Sequence, residues 1–190
     1  PMIQHIEHGE VHELRLDRPP VNALSTELFR ALTADLRAAP GLGARALVIS
    51  GREGMFSAGL DVPQLLALDR PQLELAVATF FDALIALAES PLPVVAAITG
   101  HSPAGGAVLA LCCDRRVMVD GPFGIGLNEV RIGIAMPEIV ALLLRRAVGP
   151  RLAEELCVTG RLLQPAEALA IGLVDEVVPD PIAAARAWCG

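Results

Sequence analysis

Two short runs with hardly a polar residue, "ALVIS" within residues 44–50 and "PVVAAITG" beginning at Pro93, constrain this chain more than any other feature. A strand that shows no polar alternation is buried on both faces. "RRVMVD", beginning at Arg115, reads as a third such strand. Between them lie segments long enough for a helix: residues 71–88 have helical periodicity from Pro71, and "PAGGAVLALCC" reads as a loop opening into a helix. Buried strands joined by helical crossovers specify an α/β fold.

The flanks follow the same grammar. "VHELRLD" (11–17) alternates with period two and reads as a strand. "RPPVNAL" is a turn, after which Ser25 caps a helix running to about Ala38, with Glu27 in its first turn. "FGIGLNEVRIGI" reads as irregular strand and turn. Helices are expected at about 137–147, 150–158 and 165–171, then a short strand "LVDEVV". From residue 180 another helical pattern begins, and it reads as the first part of a longer helical region. Residues 1–190 form one domain, with no repeat, low-complexity tract or linker to divide them.

Composition excludes several function classes. Net charge is −7, against the basic surface that nucleic acid requires. Apolar residues make up 53 %, yet no long apolar run is free of charge, so no membrane span is expected. Every basic residue is Arg, so a Walker-type phosphate loop, which needs Lys, is excluded. The cysteines, Cys112, Cys113, Cys157 and Cys189, lack metal-site spacing and read as buried reduced thiols, as expected of a cytoplasmic protein. His5, His8 and His12 sit three and four residues apart on a strand-rich segment, where they are not expected to converge on a metal.

The segments able to carry chemistry are the loops after the buried strands. "FSAGLD" (56–61) follows one and "GHSPAGGAV" (100–108) another. Glycine-bearing turns let backbone N–H groups point at one spot, and the second loop also enters a helix at its positive end. One N–H from each loop would make an oxyanion hole, although close packing alone also explains such glycines. Glu129 is the one acid within "LNEVRIGIAMP" (127–137). It is either a strand-edge acid facing water or a carboxylate held in an apolar pocket to move a proton.

Five ordered segments resemble the crotonase, or enoyl-CoA hydratase/isomerase, superfamily. They are "LDRPPVNALSTEL", "ALVISGREGMFSAGLDV", "PVVAAITGHSPAGGAVLALCCDRRVM", "GLNEVRIGI" and "GRLLQPAEALAIGLVDEVVP", and together they span nearly the whole chain. "FSAGLD", "PAGG" and "IGLNE" are most similar to the monofunctional Δ3,Δ2-enoyl-CoA isomerases. The resemblance implies a spiral of ββα units that binds an acyl-CoA thioester between the two loops. It implies the N–H groups of Ala58 and Gly105 as oxyanion donors and Glu129 as the catalytic acid/base. Gly59, Asp61, Val62, Gly106 and Val108 would join them in contacting the substrate. A homotrimer or dimer of trimers in a bacterial cytoplasm is implied too, with no metal and no redox cofactor.

One departure bears on the reaction. Family hydratases carry two glutamates, and the first of those positions is Val108 here. A single carboxylate suits a 1,3-proton shift: it takes a proton from C2 of a 3-enoyl thioester and returns it at C4. Hydratase activity and non-catalytic acyl-CoA binding are the alternatives. Asn128 reads as a turn residue, and Glu138 as an acid suited to a helix start. His101 and Ser102 are adjacent and outside any nucleophile elbow, which argues against a hydrolase. Arg15, Arg18 and Arg52 are candidates for the CoA phosphates.

Overall fold

The computed structural model describes residues 2–190. The chain opens with a hairpin, β1 (Ile3–His8) and β2 (Val11–Leu16), paired antiparallel with Ile3 opposite Leu16. Helix α1 (Thr26–Ala38) follows, and Ser25 Oγ accepts the N–H of Leu28 as its cap, as expected.

Three turns of a ββα spiral come next. The first has β3 (Ala46–Ser50), β4 (Gly54–Met55), a short α2 (Val62–Leu66) and α3 (Arg70–Ala88). The second has β5 (Val94–Ile98), β6 (Gly100–Pro103) and α4 (Gly105–Cys112). The third has β7 (Arg115–Val119), β8 (Ile125–Gly126) and α5 (Glu138–Val148). The chain finishes with α6 (Pro150–Thr159), α7 (Pro165–Ala170), β9 (Glu176–Val178) and α8 (Pro181–Cys189). Each turn gives its first strand to a six-stranded sheet, ordered β1-β2-β3-β5-β7-β9, and its second to a small sheet, β4-β6-β8. Beyond the hairpin, the named strands pair with one another in parallel.

The apolar runs have a direct structural cause. Leu47, Ile49, Val94, Ala96 and Ile98 enter the main core with α1, α3 and α4. Their neighbours Val48, Val95 and Ala97 pack on the opposite face beneath Ala185 of α8. Both faces of these strands are therefore covered. Helix α3 is long and apolar enough to cross a membrane by length and composition. Its Ala76, Phe80, Ala83, Leu84 and Leu87 belong to the core, and Glu74 and Asp82 interrupt it, so the structure uses it as a core helix.

Two sequence expectations change here. Among the four free cysteines Cys113 alone is fully buried; Cys112, Cys157 and Cys189 are half-buried. Burial pushes the Cys112 thiol up to about 12, so it is not a nucleophile at neutral pH. The N-terminal histidines also do not simply diverge. His5 and His12 meet across the hairpin at 2.8 Å, while His8 alone turns to the other face and reaches Glu13 at 3.1 Å.

Candidate active site

The strap of residues 18–24, between β2 and α1, organises the site. Asn22 is fully buried with φ +50. Its amide donates to the carbonyls of Leu16 and Phe56, at 3.1 and 3.0 Å, and its Oδ1 accepts the N–H of Arg18. Ser57 Oγ donates to the carbonyl of Asn22 and accepts the N–H of Gly59. The strap's backbone holds the same loop: Ala58 N–H donates to Val21, Leu24 N–H to Gly59, and Asp61 N–H to Leu24. The "FSAGLD" loop is thus fixed along its length.

The second loop lies against the first at the start of α4. A Cβ on Gly59 would stand 2.8 Å from the nitrogen of Gly105, and one on Gly105 would stand 3.2 Å from the nitrogen of Leu60. Gly59 also has φ +88, a conformation side chains disfavour. Ala104 just before α4 has φ +47, a strained value for a residue with a Cβ. Glycine is required at these contacts because the two backbones touch.

Between the loops is a cavity of about 270 Å³ lined by Ala58, Leu60, Val62, Ala104, Gly105 and Val108 on the loop side. Phe80 of α3 and Val140 of α5 also line it, and the segment from Asn128 to Pro137 supplies the remaining wall. Among its lining residues Glu129 is the one ionisable group. Glu129 opens a 3-10 turn, Glu129–Ile132, and is 9 % exposed. Its Oε2 has no hydrogen-bond partner among the described residues. Burial pushes its carboxyl above the ordinary value, and a backbone hydrogen bond draws it only partly back.

The oxyanion donors expected from the sequence need one correction. Ala58 lines the cavity, but its N–H is consumed by the Val21 carbonyl at 3.0 Å. The available group is two residues on. Gly59 O and Asp61 N–H both face the strap, so backbone alternation turns the N–H of Leu60 the other way, toward Gly105. Neither Leu60 N–H nor Gly105 N–H has a partner among the described residues. The sequence signal was present in the spacing of the loop, but the strap's hydrogen bonds decide which N–H is free.

The other candidates sort as follows. Val62 and Val108 line the cavity, whereas Gly59, Asp61 and Gly106 do not. The two glycines let the backbones approach. Asp61 caps α2 through the N–H of Gln64 and pairs with Arg18 at 2.6 Å. That pairing engages Arg18, Glu13 holds Arg15 at 2.8 Å, and Asp17 lies 3.9 Å from an exposed Arg52; none of the three arginines lines the cavity. Asn128 makes the turn, its carbonyl accepting the N–H of Arg131, and its side-chain oxygen is unpaired. Glu138 is exposed at the first turn of α5 and does not line the cavity. His101 accepts the N–H of Gly124 and makes no bond with Ser102. Phe80 and Val140 were missed as lining residues because only the tertiary fold brings α3 and α5 to the loops; Leu60, Ala104, Ile132, Ile134 and Pro137 flank expected residues and were missed because sequence does not show which neighbours turn inward.

A family profile described as enoyl-CoA hydratase/isomerase matches residues 7–187. The mitochondrial enoyl-CoA delta isomerase 1 of Mus musculus is 39 % identical over 170 residues, covering 88 % of this chain and 59 % of that protein. The human counterpart is 37 % identical and is covered over 56 % of its length, so the chain spans under two thirds of these relatives. A probable enoyl-CoA hydratase of Mycobacterium avium (strain 104) is 40 % identical over 181 residues, covering 92 % of this chain and 69 % of that protein. Among solved structures, human mitochondrial Δ3-Δ2-enoyl-CoA isomerase superposes with TM-score 0.95 at 33 % identity, over 99 % of this chain and 76 % of that one. The match spans every strand and loop that builds the cavity, and the chain belongs to the enoyl-CoA hydratase/isomerase, or crotonase, family.

Proposed function

We propose that this chain isomerises 3-enoyl-CoA thioesters to 2-enoyl-CoA thioesters. The observation that carries the reading is a single carboxylate, Glu129, in a cavity whose other lining side chains are apolar save that of Asn128, beside two backbone N–H groups without partners among the described residues. In this reading the thioester carbonyl accepts from Leu60 and Gly105. Glu129 removes a proton from C2 and the electrons move into a dienolate whose oxygen the two N–H groups stabilise. The protonated Glu129 then delivers the proton to C4, moving the double bond from C3–C4 to C2–C3.

The energetics suit these groups. A base that must take and return one proton works best with a pKa near the working pH, and burial moves Glu129 in that direction. Acid–base catalysis of this kind contributes roughly 10²–10⁴-fold, and each oxyanion donor about 3 kcal/mol. Val108 is an apolar, 1 % exposed side chain lining the same cavity, so no second carboxylate there holds a water for addition across the double bond.

The test is a substrate pair. Wild type and Glu129→Gln are given a 3-enoyl-CoA, with conjugated product followed, and a 2-enoyl-CoA, with hydration followed. Isomerisation that the substitution abolishes, with little hydration, supports the reading. Hydration outrunning isomerisation replaces it with a hydratase. Tight thioester binding without turnover replaces it with a binding protein.

A further inference from the structure

The β1–β2 hairpin carries a cluster outside the cavity. Ile3, His5 and Glu7 alternate onto one face of β1, and in the hairpin register Glu7 stands opposite His12. His5 is therefore the diagonal neighbour of His12 on that face, within reach of a long side chain. A ring nitrogen of His5, one of His12 and a carboxylate oxygen of Glu7 all lie within 4.8 Å of one another. The two rings sit edge to face, with Nε2 of His5 and Nδ1 of His12 sharing a hydrogen bond at 2.8 Å.

The surroundings grade from core to solvent. His12 is 2 % exposed, His5 is half-buried and Glu7 is exposed. Glu7 makes no ion pair or side-chain hydrogen bond among the described residues, so its carboxylate is free to turn. A buried imidazole, a half-buried imidazole and an exposed carboxylate form an N₂O donor set. Imidazole donors suit late first-row divalent ions. Donors around a tetrahedral zinc lie roughly 3.3 Å apart, from bond lengths of about 2.0–2.2 Å. The histidine nitrogens need to open only slightly and Glu7 to swing inward.

We propose that His5, Glu7 and His12 form a zinc site that clamps the edge strand β1 to β2, with water completing the coordination. Zinc takes the lone pairs of both nitrogens that share this hydrogen bond, and the proton between them moves to the other nitrogen of the ring that carried it, leaving both imidazoles neutral. None of the three residues lines the cavity, so the site acts on the stability of the sheet edge and is independent of the proposed reaction.

The test uses the chelator-treated chain titrated with ZnCl₂ by calorimetry, with thermal melts in parallel. One zinc per chain is expected, together with a Tm that rises with zinc and does not respond to MgCl₂. His5→Gln and Glu7→Gln are each expected to weaken zinc binding roughly tenfold or more, with unchanged turnover; Glu7→Gln keeps the zinc-free Tm, while His5→Gln lowers it through the lost bond to buried His12. Both positions have solvent access, so the test does not depend on the buried His12. Cys112→Ser and Cys189→Ser are expected to leave the affinity unchanged. Wild-type affinity in His5→Gln, loss of binding in a cysteine variant, or no zinc-dependent Tm shift would each overturn the site.

Discussion

The backbone N–H of Ala58 donates to the carbonyl of Val21 at 3.0 Å, and this bond determines which N–H groups remain for chemistry. Replacing the Leu60 amide by an ester, through incorporation of the α-hydroxy analogue, removes one proposed donor and keeps the side chain. The expected result is a fall in kcat of roughly 10²–10³-fold with a small change in Tm. The same replacement at Ala58 is expected to lower Tm, because it deletes a bond that anchors the loop. Steady-state kinetics and melting of both variants check this, and equal kcat losses at the two positions would return Ala58 to the donor pair.

Val108 and Glu129 line one cavity from α4 and from the 3-10 turn. Val108→Glu gives that cavity a second carboxylate. Hydration of a 2-enoyl-CoA is expected to rise by about 10²-fold or more, since a water gains a second acid–base partner. Like charge raises the pKa of the pair, so the pH optimum is expected to move upward. Burying the new acid should cost about 1–3 kcal/mol, seen as a lower Tm. A folded variant with only background hydration would show that Val108 does not set the reaction type.

Glu129 also makes a stability statement. Its folded pKa is raised by burial, so between the unfolded value and the folded value the native state binds more protons than the unfolded state. Stability from this group is therefore fully present below the unfolded pKa and declines as pH rises through the folded one. Glu129→Gln removes that penalty. Its Tm is expected to exceed wild type at pH 7 and to match it near pH 4, in paired melts across that range. A variant that gains nothing at neutral pH would mean the carboxylate is not strained by its burial.

Much of the spiral was legible because its strands are buried on both faces and its helices carry local start signals such as Ser25 and Pro71. β1 was not, since Gln4, His5, Glu7 and His8 hide the one deeply buried residue, Ile3. The two loops and Glu129 stand out by residue type, but residue types alone leave close packing and a solvated strand-edge acid open, and it is the family resemblance that implies their roles. The choice of Leu60 over Ala58 could not, because it depends on where the strap's carbonyls fall. The partners of the candidate arginines were hidden for a related reason: Arg15 and Arg18 are near the groove in sequence terms, and only the fold shows that Glu13 and Asp61 pair with them. His5 and His12 are seven residues apart, and only the hairpin register makes them neighbours.

Gly106 marks how closely α4 must seat on the first loop. A Cβ there would stand 2.4 Å from the Ser57 carbonyl oxygen and 3.0 Å from Ser102 Oγ. The carbonyl belongs to a loop already held by Asn22 and Val21, so it cannot yield easily. The helix must move instead, and Gly105 moves with it. Gly106→Ala is expected to cost about 1–3 kcal/mol of stability through overpacking. It should lower kcat more than that suggests, because a displacement near 1 Å of an aligned donor costs about 10²-fold. Gly41→Ala is the control, since nothing lies within 4 Å of a Cβ there. Melting and kcat measured on both variants check the expectation. A Gly106→Ala protein with lower Tm and full kcat would show that Gly105 keeps its aim when α4 shifts, and so that the donor pair tolerates movement between the loops.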